Sequence, residues 1–289
     1  MSACVRAKLL VRARAVGGLL AVVCCLTFVP HVDAGPVSIR IGIPQQPNTL
    51  NPLVGSQFYE NYIDEALYSG LTVVNDRGEI TPDLAEAVPT QANGGISADG
   101  RTITYHLRAN LKWQDGEPLT ADDVAFTFRK IKDPETGFPA QATYDTVESV
   151  EARGPRAVVV RLRKPWPDAV GELFVNGQNG SIVPRHVLER SRDVKASPFN
   201  DHPIGSGPFS FKSWQRDAEL VLEANPLYFR GKPKIDELRV QFIPDSGTLA
   251  VKVRAGELEY APAVPATAVD AIRAAGRMRV THAPTTSLT

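Results

Sequence analysis

Residues 113–124 read WQDGEPLTADDV and combine a tight turn with the start of a helix. Asp115-Gly116 is a turn signal. Thr120 is a suitable N-cap, and Asp123, three residues later, lies near the positive end of the helix dipole. The apolar residues that follow share one helical face: Val124, Phe128 and Ile131. Because helices seldom continue through the residue before a proline, we predict that this helix ends at Asp133-Pro134.

The segments on either side of this helix alternate apolar and polar residues, a pattern that predicts strands. Ile103, Tyr105 and Leu107 alternate before it. Residues 147–152 and 157–162 alternate after it and form a predicted hairpin around Gly154-Pro155. The middle of the chain is therefore rich in β-structure.

The N-terminal part begins with a predicted strand at residues 37–43, where every second residue is apolar. A predicted helix follows at about residues 56–68. Its apolar face carries residues at helical spacing: Tyr59, Ile63 and Leu67. The N-terminal part thus adds one strand and one amphipathic helix.

The last third mixes strands and helices. Residues 219–222 and 238–243 are predicted strands. A helix is predicted to open at residues 245–247 and to stop at Gly256. Pro262 and Pro265 indicate a crossing segment. Together these patterns predict the α/β class with a strand-rich insertion.

The first 34 residues have the order of a secretory signal peptide. Positive charges come first, a mostly apolar run at residues 16–29 follows, and Val32-Asp33-Ala34 ends the segment. We expect export to the periplasm with cleavage of this leader. One alternative is a membrane anchor, although the run is shorter than the roughly 20 residues that span a bilayer. The other is a lipoprotein, although Val23 is not the small residue that normally precedes a lipidated cysteine.

Composition excludes several functional classes. The chain has 32 basic and 32 acidic residues, so no basic field attracts nucleic acid. Its 43% of hydrophobic residues is sufficient for a folded core. All three cysteines, at positions 4, 24 and 25, lie in the leader. The mature chain is therefore predicted to have no disulfide, no thiol nucleophile and no cysteine metal site.

Motifs for catalysis are also absent from the sequence. Ser206 lies between two glycines but lacks the G-x-S-x-G spacing of a nucleophile elbow. Neighbouring carboxylates such as Asp122 and Asp123 point to different sides of a helix. The mature histidines show no metal-ligand spacing: His106, His186, His202 and His282. We expect no catalytic residue, no metal and no cofactor; an exported hydrolase is the alternative from another class.

A series of short motifs occurs along the mature chain. They are LNP at 50–52, LYSGL at 67–71, ITPDLAE at 80–86, YHLR at 105–108, WQDGEPLTADDV at 113–124, DP at 133–134, PIGSGPF at 203–209, NPLYFRGKP at 225–233 and AGELE at 255–259. In this order, the series resembles the family 5 extracellular solute-binding proteins, the dipeptide and oligopeptide receptors of ABC importers. The resemblance extends from about residue 39 to residue 260.

The resemblance implies a periplasmic binding protein type 2-like fold, in which two lobes close on a ligand. By this resemblance, residues 35–60 and 180–265 form the core of lobe I, 61–179 the inserted β-rich subdomain, and 266–289 the crossing segment and the start of lobe II. Family members are much longer. We therefore expect a truncated chain in which the second lobe and the segment that returns to lobe I are missing. Such a chain is expected to bind ligand poorly or not at all and to be less stable than a complete member.

The implied function is the capture of di- or oligopeptides in the periplasm by a monomer. The loaded monomer then docks on the inner-membrane permease subunits of an ABC importer. Non-peptide ligands, such as a nickel chelate, haem, an opine or a sugar, are the alternative within the family.

Alignment with the family's motifs also gives candidate ligand contacts, which lie between the scaffold motifs. They are Gln45, Gln46, Phe138, Tyr144, Asn176 and Gln178. Peptide-binding relatives often carry an acidic residue at the position of Gln46, so its neutral amide leaves the peptide preference open. Tyr144 is a candidate for stacking on a ligand, and the alternative for it is a packed aromatic of the insertion.

Overall fold

The computed structural model describes residues 35–177, 180–191 and 193–281. The predicted leader and the candidate contact Gln178 lie outside these residues. From Pro36 onward, the described chain forms one compact unit. None of the helices in the described ranges combines the length and the hydrophobicity of a bilayer-spanning segment.

Strands and helices are interspersed along the described residues. The strands are β1 (Ser38–Ile43), β2 (Thr72–Val74), β3 (Ile80–Pro82), β4 (Thr102–His106), β5 (Val147–Arg153), β6 (Ala157–Leu162), β7 (Val175–Asn176), β8 (Phe209–Gln215), β9 (Glu219–Ala224) and β10 (Glu237–Phe242). The helices are α1 (Phe58–Leu67), α2 (Ala121–Lys132), α3 (Ala169–Glu172), α4 (Arg185–Leu188), α5 (Ser246–Ala255) and α6 (Val269–Ala274).

The four-stranded sheet joins two distant parts of the sequence, with the order β1-β10-β9-β8. β1 and β10 are parallel, with Ile41 opposite Val240, and the other neighbours are antiparallel. Parallel strands need a long connection, and here the connection contains both smaller sheets. The strands predicted at residues 37–43, 219–222 and 238–243 are confirmed.

One of the smaller sheets, β4-β6-β5, packs against α2. The predicted hairpin is formed by β5 and β6, and Val158, Val159, Val160 and Leu162 of β6 are all buried. The predicted start of α2 is also confirmed, because the Thr120 N–H donates to the Asp123 carboxylate at 2.8 Å. The helix ends at Lys132, directly before Asp133-Pro134, as predicted. The other small sheet has the order β3-β2-β7.

Glycines let the C-terminal end of α1 approach the loop that precedes β8. A Cβ atom at Gly205 would overlap the Leu67 carbonyl, and one at Gly207 would overlap the Ala66 carbonyl. The Gln114 side chain bridges the same loop, accepting from the Gly205 N–H at 2.8 Å and donating to the Phe209 carbonyl at 2.7 Å. These contacts join α1, the insertion and the four-stranded sheet into one scaffold.

Candidate functional site

Three aromatic side chains are exposed close to one another. Phe58 and Tyr62 lie one turn apart on α1 and are 62% and 41% exposed, and Tyr260 in the loop after α5 is 48% exposed. Tyr62 and Tyr260 border the same apolar cavity of about 80 Å³. We call Phe58, Tyr62 and Tyr260 the aromatic strip. Exposed aromatic residues that cluster in this way are typical of a binding surface.

The rings of α1 order one another. Phe58 contacts Tyr59 edge-on with a centroid distance of 5.3 Å, and it contacts Tyr62 edge-on at 5.5 Å. Tyr59 and Tyr62 are stacked at 6.1 Å. Edge-on and offset contacts are the favoured aromatic geometries. The exposed rings are therefore held in place before any ligand arrives.

A buried carboxylate fixes the start of α1. Glu60 is only 3% exposed, and it accepts hydrogen bonds from the backbone N–H groups of Asn48 at 2.8 Å, Ser56 at 2.6 Å and Gln57 at 2.7 Å. The last two groups immediately precede the helix, where free N–H groups need acceptors. Glu60 thus ties the preceding loop to the helix and sets the position of Phe58.

Tyr260 is held by backbone pairing beside β1. Its carbonyl accepts from the Gly42 N–H at 2.9 Å, and its N–H donates to the Arg40 carbonyl at 3.2 Å. The neighbouring Glu259 forms an ion pair with Arg40 at 2.5 Å. The Arg40 guanidinium lowers the pKa of the Glu259 carboxyl. The loop after α5 is therefore anchored beside β1.

A polar cavity of about 130 Å³ lies near the other end of α1. Its lining is Glu65, Tyr68, Ser69, Val73, Asp83, Asn176, Pro208, Tyr228 and Arg230. The Glu65 side chain is exposed and packs over Gly177, where a Cβ atom would overlap the carboxylate. The surrounding protein still removes enough water to raise the pKa of the Glu65 carboxyl.

Asp83 carries the second carboxylate of this cavity. It accepts from Arg230 at 2.9 Å and from the Gly70 N–H at 3.1 Å. Both contacts favour the ionised form, but burial outweighs them and raises the pKa of Asp83 to about 6. The Asp83–Arg230 pair ties the insertion to the loop before β10.

The structure places the predicted ligand contacts in three different surroundings. Gln45 is exposed after β1, and Gln46 bonds through both amide atoms to Asp217 in the β8–β9 turn. Phe138 and Tyr144 are 4% and 1% exposed and pack edge-on, with a centroid distance of 6.0 Å.

The Tyr144 hydroxyl accepts a hydrogen bond from the Phe174 N–H at 3.1 Å. Tyr144 is thus packed inside the protein, as in the alternative interpretation of this residue. Asn176 borders the polar cavity. Its amide donates to the Tyr68 carbonyl at 3.1 Å and accepts from the Ser181 hydroxyl at 3.1 Å. Of the five candidates that are described, Asn176 is the one that lines this cavity.

Sequence reasoning missed the aromatic strip and Glu65. It used the face of α1 that carries Ile63 and Leu67, and both residues are buried as expected. The signal on the other face was readable, because Phe58 and Tyr62 are spaced i, i+4 where a solvated helix has polar residues.

The arrangement can stack against and hydrogen-bond a bound molecule. Within the described part of the chain, no group of three or more His, Cys, Asp or Glu side chains has an arrangement that could hold a metal ion. The exposed rings and an adjacent carboxylate are groups that recognise a ligand.

Comparison with known proteins places this geometry in context. The model of the family "Bacterial extracellular solute-binding proteins, family 5 Middle" matches residues 79–289. Protein XP55 of Streptomyces lividans is 33% identical over 228 residues, covering 79% of this chain and 39% of XP55. The oligopeptide-binding protein AppA of Bacillus subtilis is 32% identical over 231 residues, covering 78% of this chain and 40% of AppA. The chain thus spans about two fifths of the length of these relatives.

Solved structures give the same picture. AppA of Bacillus subtilis in complex with a nonapeptide matches with a TM-score of 0.74 and 28% identity, over 82% of this chain and 46% of that one. NikZ of Campylobacter jejuni in complex with Ni(L-His) matches with a TM-score of 0.72 and 26% identity, over 82% and 45%. The chain therefore has the mixed α/β fold of the type 2 periplasmic binding proteins.

Proposed function

Because this chain belongs to family 5 of the bacterial extracellular solute-binding proteins, we propose that it captures small peptides and delivers them to the permease of an ABC importer. Members of the family are extracellular or periplasmic binding proteins. The observation that carries the proposal is the aromatic strip, a preordered apolar surface next to the segment in which the chain crosses out of the four-stranded sheet.

The scaffold around the strip supports this role. Glu60 and the Tyr260 backbone contacts hold α1 and the loop after α5 in place. A rigid surface loses little conformational entropy when it binds. In the proposed mechanism the ligand rests on this surface, and closure of a second lobe over it is a population shift that ligand contacts stabilise.

The domain boundaries belong to the same proposal. Residues 35–60 and 180–265 form the lobe I core, 61–179 the insertion, and 266–289 the crossing segment with the start of lobe II. Parallel pairing between β1 and β10 supports the assignment of residues 35–60 and 180–265 to one core, because it brings both segments into one sheet.

We also propose export through the leader at residues 1–34 and action as a monomer on inner-membrane permease subunits. The proposed role involves no catalytic step. Support comes from the family itself, whose members bind solutes, and from a binding surface made of rings and a carboxylate rather than a nucleophile with its base.

The chelate complex of NikZ supplies a second candidate ligand. Its TM-score is close to that of the nonapeptide complex of AppA, so the fold is equally compatible with both. A nickel–histidine chelate would have to be held through its organic part, because the described residues lack a metal-ligand group.

Isothermal titration calorimetry separates the two candidates. The chain is titrated with a pool of unmodified tri- to nonapeptides and, separately, with nickel–histidine. We expect weak, saturable heat from the peptides, and we expect Phe58→Ala to weaken it without altering the fold. Saturable binding of the chelate with no response to peptides would show that the peptide assignment is wrong.

A further inference from the structure

The charges of α1 are all negative. The helix carries Glu60, Asp64 and Glu65 and no basic residue in its last turn. Glu60 is saturated by three backbone N–H groups. Asp64 is only 8% exposed, and burial, followed by the charges of Glu60 and Glu65, raises its pKa well above the usual range. Glu65 is the carboxylate of this helix that faces the surface.

Glu65 lies between the polar cavity and the aromatic strip. On one side it lines the polar cavity with Asn176. On the other it follows Tyr62 by three residues on α1, so that the carboxylate and the ring lie on the same side of the helix. Gly177, with φ of +73°, leaves the space that the carboxylate occupies.

Arg230, which lines this cavity, is already engaged. Arg230 donates to the Asp83 carboxylate at 2.9 Å and to the Pro82 carbonyl at 2.9 Å. No hydrogen bond or ion pair to Glu65 occurs among residues 35–177, 180–191 and 193–281. A carboxylate beside exposed aromatic rings is suited to a cation, which gains a charge-assisted hydrogen bond and a cation–π contact.

We propose that Glu65 binds a cationic group of the captured solute, an ammonium or a guanidinium, while the aromatic strip packs against the group next to it. This inference rests on the proposed function and adds a preference to it. In a peptide, the cation is either the free N-terminal amine or a lysine or arginine side chain. The chemistry at Glu65 is the same for both sources.

The test uses four tripeptides: Ala-Lys-Ala and Ala-Met-Ala, each with a free and with an acetylated amino terminus. Dissociation constants are measured by NMR titration for the wild-type chain, for Glu65→Gln and for Glu148→Gln. Glu148 is an exposed glutamate on β5, so its variant makes the same charge change away from the site. Folding of each variant is verified from its amide spectrum.

For wild type and Glu148→Gln, we expect peptides that keep a cation to bind roughly tenfold tighter than acetylated Ala-Met-Ala. In Glu65→Gln this ratio falls towards one, while acetylated Ala-Met-Ala binds as before. If acetylation abolishes the tighter binding, the cation that Glu65 binds is the terminal amine. If acetylated Ala-Lys-Ala still binds more tightly than acetylated Ala-Met-Ala, the cation is the lysine side chain. An unchanged ratio in Glu65→Gln overturns the inference, although the proposed function stands. If none of the four peptides binds the wild type, the proposed function itself fails.

Discussion

The helices α1 and α2 differ in where they place their aromatic side chains. α2 buries its aromatic residues Phe126 and Phe128 and exposes charges in its last turn. α1 exposes Phe58 and Tyr62, whereas both helices bury a carboxylate in their first turn, Glu60 in α1 and Asp123 in α2. Leaving a large apolar surface in water costs free energy. The difference indicates that α2 holds the insertion together, whereas α1 presents a binding surface at some expense of stability.

The largest test of this comparison removes one phenylalanine from each helix. Phe128→Ala leaves a cavity in the core, and we expect it to lower the free energy of unfolding by about 3–5 kcal/mol. Phe58→Ala removes a ring that is 62% exposed, and we expect a change within about 0.5 kcal/mol. Urea unfolding followed by circular dichroism measures both. Equal losses would mean that Phe58 is a core residue, and the contrast between the helices would disappear.

The second test removes the buried carboxylate of α1. Glu60→Ala deprives three backbone N–H groups of their acceptor, and we expect a loss of about 3 kcal/mol in the same assay. Asp122→Ala is the control, because Asp122 is an exposed acidic residue in the first turn of α2. A loss as small as that of the control would show that water replaces Glu60 without cost.

Local sequence patterns predicted the helices α1 and α2 and most of the strands. The start of α2, the β5–β6 hairpin and the stop of α5 at Gly256 all depend on residues close in sequence. Alternation and caps report such local preferences well. The parallel pairing of β1 with β10 could not be derived in this way, because it joins strands about 200 residues apart and depends on tertiary packing.

The candidate site was less accessible to sequence reasoning. Whether an aromatic residue faces a ligand or the core depends on what packs around it. Tyr144 and Tyr62 are chemically identical, yet the first is 1% and the second 41% exposed. The buried role of Glu60 was also hidden, since its three partners lie in an irregular loop.

The third test uses pH and the polar cavity below α1. An unfolded aspartate ionises near pH 3.8, whereas folded Asp83 keeps its proton until about pH 6. Between these values the folded state binds more protons, so this group's contribution to stability falls as pH rises and is constant above pH 6. We expect wild type to lose about 2 kcal/mol relative to Asp83→Asn between pH 4 and pH 6.5.

Urea unfolding of both proteins at four pH values measures this difference. Other buried carboxyls with raised pKa values, such as Asp64 and Asp123, change both proteins alike and cancel. Asp122→Asn serves as the exposed control on α2. Parallel stability curves for wild type and Asp83→Asn would mean that Arg230, rather than burial, governs the pKa of Asp83.

The test with the smallest expected change in stability concerns the contact between Glu65 and Gly177. Gly177→Ala places a methyl group where the Glu65 carboxylate packs, at a φ of +73°. Gly78→Ala introduces the same backbone strain at +77°, with no atom within 4 Å of the new methyl group. We expect Gly177→Ala to be less stable than Gly78→Ala by about 1 kcal/mol. Equal stabilities would show that Glu65 does not rest on Gly177.

The ligand surface proposed for this chain consists of the exposed face of α1 and the loop that contains Tyr260. Amide chemical shifts of the labelled chain, recorded during titration with an unmodified tripeptide such as Ala-Lys-Ala, locate the surface that binds. We predict that the perturbed amides cluster at residues 57–66 and 259–262, while those of α2 stay unchanged. Saturable shifts confined to α2 or to the far edge of the β4-β6-β5 sheet would contradict the account.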